Sequence, residues 1–303
     1  MLAWELVGAV VGAGMASGRE IASFFTQYGG WGMVGILLSV GVLVWLSDVR
    51  HPAPWHGRWP ERLWQLLLTL LLIATGGAML SGSGEVAALT LPIRGAKWMG
   101  MAFTAFLAWL LAKKTVSGLA WVSRALLAVL AVLIALGFAV PPIQGVPLQE
   151  AAPQMGLLRG LAYGGFNAAL QAPIMARATE TSNRRRKQSA WLASGIILCL
   201  LMLGNAVLLR HPALIGESMP FLMLMRRFGK LGYSLGAVSL YLAVLSTLMA
   251  CLRGLPGNLL PMAGIVLVSV LGFTGVVEIA YPLLGAGCFL MLAIAKVQGS
   301  LAW

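Results

Sequence analysis

Between residues 8 and 20 the chain reads GAVVGAGMASGRE, with Arg19 and Glu20 following four glycines inside an apolar run. Charged side chains cost about 2.5–3.5 kcal/mol at the centre of a membrane helix, so they normally face a cavity or a partner. Glycine is about 1 kcal/mol worse than alanine in a helix. A segment built this way is expected to unwind, baring amide and carbonyl groups around Gly12 and Gly14 with Ser17 beside them. A second stretch, YGGFNAALQAP, sets Tyr163, Gly164, Gly165, Asn167 and Gln171 ahead of Pro173. Asn167 and Gln171 are four apart and share a helix face. LSGSGE adds the hydroxyls of Ser81 and Ser83. These are the expected substrate contacts. Free amides favour a carboxylate and free carbonyls an ammonium group, so a small amino acid or a related amine suits them.

The elements that must position these groups follow from composition. The chain has 303 residues, 59% hydrophobic and 10% charged, with a mean hydropathy of +0.88. Soluble domains carry roughly a quarter charged residues, so the sequence predicts an integral membrane protein. Its apolar runs are continuous, unlike the short alternating strands of a barrel. Crossing a bilayer takes about 20 apolar residues per helix. Ten spans are expected, near 2–27, 30–48, 63–90, 97–112, 115–138, 156–180, 188–209, 231–252, 258–273 and 278–296. The fold class is thus all-α, a polytopic bundle.

The net charge of +12 lies between the apolar runs, where it sets orientation; no nucleic-acid partner is implied. With the N-terminus in the cytoplasm, Lys and Arg on the inner side outnumber those outside thirteen to six. Both termini are therefore expected to be cytoplasmic, in a bacterial inner membrane. Cys199, Cys251 and Cys288 fall in apolar runs without metal-ligand spacing. His51, His56 and His211 form no metal constellation. No nucleotide loop, triad or carboxylate pair is evident, so neither an enzyme nor an organic cofactor nor a transition metal is expected.

The stretch AVPPIQGVPLQEAAPQ is a proline-rich linker. It divides the chain into a first five-helix repeat at 1–138, an extracytoplasmic linker at 139–155 and a second repeat at 156–303. Spans one and six, the first of each half, are the glycine-interrupted ones. Such interruptions at corresponding positions are the sequence pointer to a secondary transporter built of inverted repeats. Both spans are accordingly expected to be broken at mid-membrane. Arg19, past the first break, needs an anion; Glu278, at the same side in TGVVEIAYP, is the candidate. Glu20 is expected to favour the positive end of the half-helix it opens.

GAGMASGREIASFF resembles the opening motif of the YkvI-type bacterial membrane proteins. That family is similar to the amino acid–polyamine–organocation superfamily, which shares the LeuT fold. The resemblance implies a 5+5 inverted repeat and ion-coupled transport by alternating access, driven by Na+ or H+. In LeuT-like symporters a sodium ion lies between carbonyls at the first break and a small-x-x-[Ser/Thr]-[Ser/Thr] motif in span eight. Gly8 and Val11, with Ala243, Ser246 and Thr247 of AVLST, match that pattern. An arginine and an acid placed like Arg19 and Glu278 close the outer gate there. Germinant-receptor membrane subunits resemble the same superfamily, which leaves a non-transporting receptor or structural component as the alternative.

Overall fold

The computed structural model describes residues 2–47, 49, 58–112, 119–145, 152–178, 182–255 and 259–301, and these hold helices and turns without strands. The lysines of the 113–118 connection, His51 and His56 lie outside the described residues. Apolar runs become helices because only helices and closed barrels satisfy their own backbone in lipid.

The first span is three pieces: α1 (Leu2–Val10), α2 (Ala13–Ser17) and α3 (Arg19–Phe24). The chain continues through α4 (Gly30–Leu46), α5 (Arg58–Thr90), α6 (Ala96–Ala112) and α7 (Leu119–Ala139). The second half opens with α8 (Pro153–Arg177) and α9 (Asn183–Arg210). A short α10 (Pro220–Met225) precedes α11 (Gly229–Gly254) and α12 (Leu259–Ser269). A single turn, α13 (Gly272–Gly275), runs through a π-helical turn, Val276–Ala280, into α14 (Tyr281–Leu301). Each expected span overlaps one of these helices or helix groups. Four helical stretches, Trp59–Thr90, Asn183–Arg210, Pro220–Gly254 and Gly272–Gln298, are long and apolar enough to cross a membrane by length and composition. Gly30–Leu46, Ala96–Leu111, Ala125–Ala139 and Leu260–Ser269 are shorter apolar helices. Large apolar side chains such as Trp98, Phe103, Leu242, Leu267 and Leu283 point outward, which suits contact with lipid.

The expected break in span six is absent. α8 is one continuous helix through Gly164 and Gly165. Its glycines are consumed by contact instead. Gly156, Gly160 and Gly164 recur every four residues and meet α4. A methyl group on Gly160 would lie 2.5 Å from the Gly35 carbonyl oxygen, and one on Gly164 2.7 Å from Val42 Cβ. Gly165 faces α14, where a methyl group would approach the Gly285 carbonyl oxygen to 2.4 Å. Helices in lipid gain little from hydrophobicity and associate by such close backbone approach. α8 is thereby clamped between α4 and α14, its most extensive neighbours, while α5 packs on α6, α11 and α12.

After α7 the linker residues Val140–Gly145 are non-helical. They are held by buried His211, whose Nδ1 accepts from Ile143 N–H at 3.2 Å and whose Nε2 lies 3.2 Å from the Gly137 carbonyl. The apolar stretch after residue 218 forms α10, whose Phe221, Leu222 and Leu224 are buried. Phe221 stands over Gly18, so this segment caps the first span.

Candidate functional site

The first span breaks where its glycines relax the helix. Gly12 is extended (φ −101°, ψ −171°), and its N–H turns back to the Val10 carbonyl at 2.9 Å. The Gly8 carbonyl thereby loses its helical donor. Gly18 has φ +83°, a left-handed conformation that glycine adopts freely. Ser17 stitches the second corner. Its hydroxyl donates to the Gly14 carbonyl at 2.8 Å and accepts from Arg19 N–H at 3.2 Å.

Arg19 leaves α3 away from Glu20. Its guanidinium donates to the Ile215 carbonyl at 2.8 Å, to the Glu217 carbonyl at 3.1 Å, and to the Glu278 carboxylate. The Arg19 side chain is 6% accessible and that of Glu278 40%. Arg159 of α8 donates to the Glu278 backbone carbonyl at 2.9 Å. Two arginines from different helices thus converge on the π-helical turn, a distortion frequent at functional positions.

Of the candidate ion ligands, Thr247 lies beside the break. α11 lies against α2, and a methyl group on Gly12 would sit 3.3 Å from Thr247 Oγ1. Ser246 donates to the Ala243 carbonyl at 2.9 Å, so its proton is committed within its own helix. Its oxygen lone pairs remain. Val11 and Ala243 are buried beside the break.

The candidate substrate contacts divide. Tyr163 Oη donates to Glu20 Oε2 at 3.4 Å, and Glu20 folds over Gly14 so closely that a methyl group there would lie 1.8 Å from Oε1. Asn167 Nδ2 returns to the Tyr163 carbonyl at 2.9 Å, leaving its buried Oδ1 without a partner. Gln171 Nε2 donates to the Leu6 carbonyl of α1 at 3.1 Å. A small crevice reaches Gln171 between Leu43, Leu46, Met175 and Leu292. Ser17 belongs to the break, as described. Gly164 and Gly165 are packing residues. Ser83 belongs to the α5–α6 contact: its hydroxyl donates to the Leu80 carbonyl at 2.6 Å and its backbone oxygen abuts Gly100. Ser81 is buried in α5 with its hydroxyl unpartnered. Glu85, one turn further along that helix, pairs with Lys97 at 2.5 Å.

Sequence reasoning passed over Arg159 and set Glu20 at a helix end. A signal for Arg159 was present. Arg159, Tyr163, Asn167 and Gln171 recur every four residues, which lays one polar stripe along α8. Arg159 stacks over Phe24 at 5.9 Å, Tyr163 meets Glu20, and Gln171 meets Leu6, so the stripe follows the broken span from α3 to α1.

No protein-family model matches the chain. The uncharacterized membrane protein YkvI of Bacillus subtilis (strain 168) is 27% identical over 221 residues, 66% of this chain and 63% of that relative. The match therefore spans less than two thirds of the relative's length. Among solved structures, a manganese transporter of Eremococcus coleocola, in complex with an aromatic bis-isothiourea substituted compound, superposes with a TM-score of 0.57 at 17% identity. That match covers 97% of this chain and 76% of the transporter. A histidine-to-alanine variant of the same transporter gives 0.54 at 17% identity over 99% and 72%. These neighbours are membrane transporters rather than enzymes. At this identity the likeness is one of fold, and it does not single out the amino acid carriers within it. The chain is a multi-pass helical membrane protein with the fold of a transporter.

Proposed function

We propose that the chain is an ion-coupled secondary transporter of small amino acids or related amines, working by alternating access across a bacterial inner membrane with both termini in the cytoplasm. One observation carries the reading: the first span is divided at Gly12 and Gly18, and its far piece is tied by Arg19 to Glu278 and the loop carbonyls of Ile215 and Glu217. A divided span tied at one end has joints about which it can tilt, and the ion pair is a contact that tilting breaks and remakes. In this reading Arg19 and Glu278 form the outer gate, closed here. Substrate binds at the first break beside Gly12, Gly14 and Tyr163. Asn167 and Gln171 line the path beyond.

The coupling ion is Na+ or H+. A sodium ion would be held by the Gly8 and Val11 carbonyls and the span-eight residues Ala243, Ser246 and Thr247. Oxygen ligands of this kind suit a hard cation. Among the described residues no three His, Cys, Asp or Glu side chains gather in one place.

A ligand that binds only the folded protein raises its stability by RT ln(1 + [L]/Kd). Purified protein melted against amino acids and amines, with and without sodium, is expected to show a ligand whose stabilisation grows with sodium. In the double variant Ser246→Ala, Thr247→Ala the sodium contribution should vanish while ligand binding without sodium persists. An unchanged sodium response in the double variant removes the ion site from the proposal.

A further inference from the structure

Glu20 is used by nothing described so far. It is 5% exposed, deep in the bundle. Neither the Arg19–Glu278 nor the Lys97–Glu85 ion pair reaches it. Its neighbour Arg19 is committed to Glu278 and two loop carbonyls on the other side of α3. Its single hydrogen bond is the long one from Tyr163 Oη, 3.4 Å. A buried carboxylate without a cationic partner is expensive unless something neutralises it.

The surroundings specify what that something is. Phe24 and Phe25 each stand edge-on to Tyr163 with ring centroids 5.0 Å away, giving an aromatic wall beside the carboxylate. Further buried oxygens without partners include Oδ1 of Asn167, one turn along α8, and the hydroxyls of Ser23 on α3 and of Tyr281. The Gly8 carbonyl has lost its donor at the break. The charged and titratable groups packed around Glu20 are Arg19 on its own helix, Arg159 and Tyr163 on α8, and Glu278 and Tyr281 at the head of α14. Both arginines donate to the Glu278 turn, with the buried Nε of Arg19 left over. What the centre presents is therefore the Glu20 carboxyl, buried oxygens without partners and aromatic rings. Ammonium groups are recognised by that combination, through charge-assisted hydrogen bonds and cation–π contact. A carboxylate on the same ligand would be forced beside the Glu20 carboxyl.

We propose that Glu20 is the anionic pole of the central site, and that the species carried is a small alkyl- or arylalkylammonium ion without a carboxylate of its own. The assignment rests on the transporter reading and narrows its substrate class. In the closed state the carboxylate lies folded over Gly14; when the Arg19–Glu278 contact opens, it receives the ammonium group between the break and the Tyr163 wall.

The test is binding to the purified full-length protein by calorimetry and thermal shift, with propylamine and 2-phenylethylamine set against alanine and phenylalanine. The amines are expected to bind at least about tenfold more tightly than the matching amino acids, a gap near 1.4 kcal/mol. Glu20→Gln should abolish that preference. Tyr163→Phe, which keeps the ring and loses the hydroxyl, should weaken amine binding several-fold; should Glu20→Gln fail to fold, this variant and the wild-type comparison decide the matter. Equal binding of amino acids and amines overturns the proposal, as does amine affinity untouched by Glu20→Gln. So does stabilisation that follows pH or manganese alone with no amine bound. Glu20-dependent amine binding without accumulation in vesicles sinks the transporter reading and leaves this site standing. Accumulation of an amino acid indifferent to Glu20 does the reverse.

Discussion

Reversing the charge at either end of the Arg19–Glu278 pair is expected to cut uptake about tenfold or more, equivalent to at least ~1.4 kcal/mol, while Arg19→Glu combined with Glu278→Arg recovers part of the loss. The magnitude follows from where the pair sits. Exposed ion pairs contribute roughly 0–1 kcal/mol, and breaking a buried one by removing a partner costs about 3–5 kcal/mol. Arg19 is at the buried extreme with 6% of its side chain accessible, whereas Glu278 is 40% accessible, so the loss falls between these limits. Removing Glu278 leaves Arg19 the Ile215 and Glu217 carbonyls, which loosens the contact without unfolding the span. Recovery in the double reversal is only partial because Arg159 already donates to the residue 278 carbonyl and would repel an arginine placed there. Uptake by the four proteins forms a double-mutant cycle. An interaction energy of zero, with both single variants folded, rejects the gate.

Gly165→Ala is expected to lower the melting temperature of the purified protein more than Gly14→Ala does, whereas Gly14→Ala abolishes substrate binding. At Gly165 the new methyl group meets the Gly285 carbonyl oxygen at 2.4 Å and Phe289 Cβ at 2.5 Å. Backbone cannot move aside as a side-chain tip can. Overpacking a well-filled core costs about 1–3 kcal/mol, occasionally more, and here α8 would be pried from α14. At Gly14 the obstacle is the Glu20 carboxylate, 1.8 Å from the methyl position. That group ends a flexible side chain and can be displaced, so the helices stay packed while the site loses its geometry. A Gly165→Ala protein that melts like wild type but no longer binds would return this glycine to the role of a hinge.

The contrast between those glycines marks how far the sequence could be read. Four glycines in the first span, followed by two charges, announced a break because no packing partner explains Arg19 within lipid. The same logic failed for Gly164 and Gly165. Glycine permits both unwinding and close approach, and which one occurs depends on the helix opposite. Spacing held the answer: Gly156, Gly160 and Gly164 repeat every four residues, the signature of a contact stripe. The Arg19–Glu278 contact was legible because two charges on one side of a membrane have few other partners. Glu20 was not. Its depth depends on the angle α3 takes after Gly18, where Phe221 of α10 packs, so the charge read at the start of α3 lies at that start but buried. Ser83 was assigned to the site by type, yet its place on the α6 face of α5 is a tertiary fact.

Reconstitution tests the central claim most directly. Proteoliposomes holding the full chain, loaded and diluted to impose an inward sodium or proton gradient, are given a radiolabelled ligand identified by thermal shift. The account predicts accumulation above the external concentration, collapsing when the gradient is dissipated and falling in the Arg19→Glu variant. Saturable binding with no accumulation under either gradient would contradict it, and would leave the chain a receptor with a transporter's fold.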